Sequence, residues 1–169
     1  MGESGLLWDA GCLRRSGLTG ELEQMFLGQY QHSLDDKNRL TIPARFRELL
    51  SEGAFITQGF DRNLMVLTSS AFEQVYERLN AMNMADPAAR LLRRLILGNA
   101  YQVEVDKAGR ILLPQPLREF AALDGEAVVV GQGDYFEVWS LSAWQEQQQK
   151  LADAEANAQR FATLNLTTR

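Results

Sequence analysis

The chain has 169 residues, 46% of them apolar, and a formal net charge of −5. That length suits one ordinary domain or two small halves with a real core, and no apolar run approaches the 18 residues that would mark a membrane span. One histidine and one cysteine leave no nucleophile–base set and no thiolate metal cluster, so an enzyme, a metal centre or a bound cofactor is not expected.

Residues 1–24 carry five glycines and no sustained periodicity. Gly5-Leu6-Leu7-Trp8 is too short an apolar run for a signal peptide, and no basic segment precedes it. Two readings stand: a mobile extension, or a start placed upstream of the true initiator Met25, the second being favoured. Cys12 lies inside this segment, so no intrachain disulfide is available, as suits a reducing cytoplasm.

From residue 30 the chain repeats itself. Asp35-Asp36-Lys37-Asn38-Arg39-Leu40-Thr41-Ile42-Pro43 returns 71 residues later as Asp106-Lys107-Ala108-Gly109-Arg110-Ile111-Leu112-Leu113-Pro114. Residues 30–49 and 101–120 share seven of twenty identities, and five further positions exchange one apolar residue for another. A period of this kind decides architecture before local propensity does.

Tyr30, His32 and Leu34 alternate with polar residues, as do Tyr101, Val103 and Val105. Period-two alternation predicts a strand with one buried face. It also makes His32, the only histidine, a packed or interface side chain rather than a catalyst. Leu40 and Ile42, or Ile111 and Leu113, would return along that face. Three residues separate each Asp from its Arg, ending in Asn38 or Gly109. That fits a type I turn followed by a left-handed residue, a conformation Asn and Gly tolerate best.

On this alternation Asp35 with Arg39, and Asp106 with Arg110, point away from the core across a tight turn. The simpler account is a local ion pair pinning the turn, worth little if exposed. The functional account is a rigidly oriented guanidinium offered to a phosphate or a guanine edge. Duplication favours the second more than local chemistry does, because a turn needs its Asn or Gly but not a particular Arg.

Pro43 and Pro114 then open short helices. Further strand pairs follow at Ala54–Thr57 with Leu64–Leu67, and at Ala127–Val130 with Tyr135–Trp139. Each pair leads to a helix, from Ser70 to Asn80 and from Ser142 onward, with Ser as the N-cap. The unit is β-β-α-β-β-α. In the connection, Phe72, Val75, Tyr76 and Leu79 read as a core stripe. Asp86-Pro87 opens a linking helix with Leu91, Leu92, Leu95 and Ile96 inward. Its Arg90, Arg93 and Arg94 read as a solvated face, with contact to DNA or a neighbouring subunit as the alternative. Residues 146–169 are expected to form a helix that frays into a tail.

The paired Asp-x-x-x-Arg turns with Pro-opened helices, together with Met25-Phe26-Leu27-Gly28 and Arg94-Leu95-Ile96-Leu97-Gly98-Asn99-Ala100, resemble the MraZ family of bacterial transcriptional regulators. The resemblance spans residues 25 to about 145. It implies a mainly β, α+β fold: a double-split, swapped-hairpin (AbrB/MazE-like) β-barrel built from two tandem repeats. The corresponding division is 25–82 and 101–145 for the repeats, 83–100 for the linking helix and 146–169 for the C-terminal helix and tail. It further implies a homo-oligomeric ring, in the cytoplasm and on the nucleoid. That ring would bind double-stranded DNA at repeated boxes in the promoter of its own cell-division and cell-wall gene cluster, with no small-molecule substrate. Arg39 and Arg110 would reach DNA, oriented by Asp35 and Asp106. Ala108 stands in the second copy where the first has Lys37.

An acidic chain is an awkward DNA ligand, but counterion release depends on the few cations nearest phosphate. Without residues 1–24 the net charge is −3. Residues 37–47 hold Lys37, Arg39, Arg45 and Arg47 with no acid, and residues 107–118 hold Lys107, Arg110 and Arg118 with none. One such patch binds weakly; several on an oligomer gain by effective concentration. The alternative is a non-DNA module, a ring-forming scaffold or antitoxin-like protein-binding partner.

Overall fold

The computed structural model describes residues 24–166; the readings of residues 1–23, Cys12 included, lie outside them. The first repeat runs β1 (Gln29–Ser33), β2 (Arg39–Thr41), α1 (Ala44–Leu49), β3 (Ala54–Gln58), β4 (Leu64–Thr68) and α2 (Ser69–Asn80). The linking helix α3 (Pro87–Leu97) leads to the second, β5 (Tyr101–Val103), β6 (Arg110–Leu112), α4 (Gln115–Phe120), β7 (Glu126–Gly131), β8 (Tyr135–Ser140) and α5 (Leu141–Ala152), followed by α6 (Ala154–Phe161). The expected unit is therefore present twice, in an α+β fold.

The strands pair across the repeats. One antiparallel six-stranded sheet has the order β1-β7-β8-β4-β3-β5, and β2 pairs with β6 in a separate two-stranded ribbon. Each repeat lends its first strand to the other, β1 to β7 and β5 to β3. Exchanging the two repeats maps this strand order onto itself, so the chain folds like a swapped dimer fused into one polypeptide. The turn after β1 does form, but the expected return of β2 along β1 stops at a single bridge, Leu34 to Leu40. Beyond it the strands part, β1 pairing with β7 over five residues and β2 with β6 over three. The sheet is open: β1 and β5 are its edges, and the ribbon supplies the cover that a closing strand pair would give.

The ribbon's inner residues make that cover apolar. Leu40, Ile42, Ile111 and Leu113 are at most 1% exposed and join Phe46, Ile56, Val66, Leu117, Val129, Phe136 and Val138 in one core. Phe26, Phe46 and Phe136 pack with ring centroids 5.0–5.2 Å apart. The sheet's other side carries a smaller cluster of Val128, Val130, Trp139 and Trp144 beneath α5. The buried Thr57 hydroxyl donates to the Ile96 carbonyl at 2.6 Å, tying the end of α3 to β3.

Several local expectations shift. Thr68 and Ser140, not Ser70 and Ser142, cap α2 and α5 by accepting from Ala71 and Ala143 N–H; the strands run directly into the helices. In α2 only Leu79 is fully buried, Tyr76 is exposed, and Phe72 stacks on Phe55 at 4.3 Å. In α3 the buried residues are Ala89 and Ile96, while Leu91 is 66% exposed. Positions 89, 92 and 96 share a face, and Leu91 falls about 100° away from Leu92. Arg90 donates to the Met84 and Ala85 carbonyls and so closes the preceding loop. Tyr101, expected inward, is exposed at the sheet edge. The C-terminal helix breaks at Asp153, which caps α6 through Ala156 N–H.

Because both repeats share one core, the chain is expected to unfold as one unit. Ile111→Ala empties a fully buried ribbon position and is expected to cost about 2–5 kcal/mol, with fluorescence and circular dichroism reporting a single urea transition. Two separated transitions would contradict the shared core.

Candidate nucleic-acid interface

Each Asp builds its own turn. Asp35 Oδ1 accepts from the N–H groups of Lys37 and Arg39 at 3.0 and 2.9 Å. Asp106 Oδ1 accepts from Ala108 and Arg110, both at 2.9 Å. The turn closes with Asn38 N–H on the Asp35 carbonyl and Gly109 N–H on that of Asp106, each at 3.0 Å. Asn38 and Gly109 then take φ of +59° and +80°, the left-handed step expected of the loop.

The turns lock to each other as well. Ile42 N–H donates to the Gly109 carbonyl at 2.8 Å, and Leu113 N–H to that of Asn38 at 3.1 Å. Between these bonds Leu40 faces Ile111 across the ribbon, and Arg39 and Thr41 face Leu112 and Arg110. Alternation puts Leu40 and Ile111 inward and Arg39, Thr41, Arg110 and Leu112 on the outer side. Leu112 is 58% exposed. No apolar pattern singled it out, because its neighbours Ile111 and Leu113 dominate the stretch.

The second carboxylate oxygen of each Asp holds the Arg side chain. Arg39 Nε donates to Asp35 Oδ2 at 2.7 Å, and Arg110 Nε to Asp106 Oδ2 at 3.0 Å. A third contact crosses the repeats: Arg110 Nη1 lies 3.4 Å from Asp35 Oδ2. Among the described residues no protein acceptor engages either Nη atom of Arg39. The arginines are thus fixed at Nε with guanidinium ends turned outward, 26% and 29% exposed. One carboxylate therefore both pins the turn and orients the arginine side chain.

The remaining basic residues divide. Lys37, Lys107 and Arg45 are exposed. Arg47 is half-buried; its Nε donates to the Ile42 carbonyl at 2.7 Å, as Arg118 Nε does to Leu113 at 3.0 Å. A Cβ on Gly109 would run into the Arg47 guanidinium. Arg47 and Arg118 therefore brace the ribbon ends from the helices that Pro43 and Pro114 begin. His32 is half-buried on β1 opposite Ala127.

Both Asp carboxyls are held below the ordinary value of 3.8. The largest cause is the backbone N–H of Arg39 or Arg110; burial pulls the other way, and the Arg side chain adds to the lowering. A depressed folded value means that the carboxylate stabilises the turn fully above the unfolded value, and that this is lost as pH falls through the folded one. Carbon-detected titration is expected to give Asp35 and Asp106 midpoints below 3.8, with the turns intact through the ordinary carboxylate range. A midpoint at or above 3.8 would contradict these bonds.

Fold and site together define a duplicated swapped-hairpin protein with a paired-arginine ribbon. The family model described as "MraZ protein, putative antitoxin-like" matches residues 25–95 and again 96–165. The chain is 45% identical over 138 residues to "Transcriptional regulator MraZ" of Roseiflexus castenholzii, covering 82% of this chain and 94% of that one. It is 44% identical over 141 residues to the protein of the same name from Thermomicrobium roseum, covering 83% and 99%, and 41% identical over 143 residues to that of Moorella thermoacetica, covering 84% and 100%. The chain belongs to the MraZ family.

Proposed function

We propose that this chain is a sequence-specific DNA-binding transcriptional regulator whose β2–β6 ribbon enters the major groove. The observation that carries this reading is the outer face of the ribbon, where two Asp-clamped arginines stand diagonally across a rigid two-stranded element. A two-stranded antiparallel ribbon fits the major groove, and Arg pairs with guanine O6 and N7 there. Lys37, Lys107 and Arg45 lie outside the ribbon face and supply phosphate contacts that fix register without reading sequence. Arg47 adds charge behind them while holding the ribbon.

With a net charge of −5, one such patch is a weak ligand. A ring of several subunits, each presenting its ribbon to one of a series of spaced boxes, raises affinity through effective concentration. The boxes are placed in the promoter of the protein's own cell-division and cell-wall gene cluster, so the protein acts in the cytoplasm, on the nucleoid, without catalysis. The competing reading is a scaffold or antitoxin-like module that uses the same fold to bind protein; the "antitoxin-like" family description is its support.

Fluorescence anisotropy with a labelled fragment from upstream of the gene separates the two. Native DNA is expected to bind more tightly than a scrambled fragment, with an affinity that falls steeply as salt rises. Arg39→Ala combined with Arg110→Ala should lower the affinity by at least about tenfold while sedimentation still shows the wild-type assembly. Equal, weak binding of native and scrambled DNA, unchanged in the double variant, would transfer the reading to the protein-binding module.

A further inference from the structure

The two turns are copies in sequence but not in their contacts. Asp106 Oδ2 serves one guanidinium, that of Arg110. Asp35 Oδ2 faces two: Arg39 Nε at 2.7 Å, from its own turn, and Arg110 Nη1 at 3.4 Å, from a turn 75 residues away. The reciprocal contact, Arg39 to Asp106, does not occur among the described residues. The bridge lies on the outer side of the ribbon, where the side chains of Asp35, Arg39 and Arg110 are 27%, 26% and 29% exposed.

We infer that Asp35 is the positioning residue for both DNA-reading arginines, and that the two therefore read DNA unequally. The inference rests on the proposed DNA-binding function for its consequence, but not for its geometry. Two guanidinium groups brought together on a narrow ribbon repel each other, and a carboxylate oxygen between them offsets that repulsion. Asp35 sets their separation as well as their direction. The side chain of Arg39, held only at Nε, keeps both Nη atoms for a bidentate contact with one guanine. Arg110 is held at Nε by its own turn and through one N–H of Nη1 by the other, so it keeps three of its five donors where Arg39 keeps four, and its guanidinium is tethered at two points rather than one. A ribbon with near two-fold symmetry thereby acquires a strong reader from the first repeat and a weaker, tethered reader from the second.

The test uses the full chain carrying Asp35→Asn or Asp106→Asn. The Asn side-chain oxygen can still accept the turn N–H bonds, so the turns persist, and an unchanged urea midpoint would confirm it. In the free protein, the Nε–Hε resonances of Arg39 and Arg110 are followed by NMR, assigned by their loss in Arg39→Lys and Arg110→Lys. Asp35→Asn is expected to move both resonances and Asp106→Asn only that of Arg110. An Arg110 resonance left in place by Asp35→Asn overturns the inference, whatever the protein binds.

On promoter DNA the pair is tested by a double-variant cycle. Asp35→Asn should weaken binding more than Asp106→Asn does. Its effect should shrink by about threefold or more when Arg110 is already Ala, the coupling expected of residues in one charge network. Restoring the charge with Asp35→Glu should recover part of the affinity. Strictly multiplicative losses overturn the shared positioning role. If wild-type protein shows no preference for native DNA, the DNA-binding reading fails and the resonance shifts alone decide the inference.

Discussion

Two backbone hydrogen bonds hold this structure in its form: Ile42 N–H to Gly109 and Leu113 N–H to Asn38. Each joins the end of one repeat's short strand to the left-handed residue that ends the other repeat's turn. Neither repeat can make its bond alone. Three-residue strands such as β2 and β6 are too short to be stable by themselves. What sustains them is this reciprocal closure, together with the burial of Leu40 and Ile111 against the main sheet. Everything on the outer face inherits its rigidity from that arrangement. The arginines stand where they do because the strands beneath them cannot slide, and Arg47 and Arg118 hold the strand ends from the flanking helices.

This constraint explains why the Asp-x-x-x-Arg spacing does two tasks without conflict. One carboxylate oxygen accepts the turn's N–H groups and the other accepts Nε. A shorter spacing would leave no room for the left-handed residue whose carbonyl reaches the other repeat. The ribbon and its flanks are net positive within an acidic chain: residues 35–47 hold four cations and two acids, and residues 106–118 three cations and one acid. Fixed placement also limits the ordering entropy that arginines would otherwise lose on binding.

Much of this was legible before any coordinates. The 71-residue repeat exposed the turn, its left-handed residue and the Pro-opened helix, because those features depend on a few neighbouring residues. Period-two alternation marked the inner faces at Leu40, Ile42, Ile111 and Leu113 correctly, but alternation identifies a face and not a partner. Taken alone, it therefore paired β2 with β1. The swapped arrangement was signalled only by the family resemblance. Helix faces were less legible for a related reason: α3 is rich in leucine all round, so the one-residue displacement between Leu91 and Leu92 escapes a pattern that counts apolar residues. The Asp35–Arg110 contact was beyond reach, since it joins side chains brought together only when the two turns dock.

The account depends most on the ribbon face being the surface that meets DNA. Amide hydrogen exchange, followed with and without the promoter fragment, tests that directly. Added protection at residues 36–41 and 107–112, with no change in α5, which covers the sheet's other side, is the predicted result. Protection gained in the helices instead, with the turns exchanging as before, would contradict it.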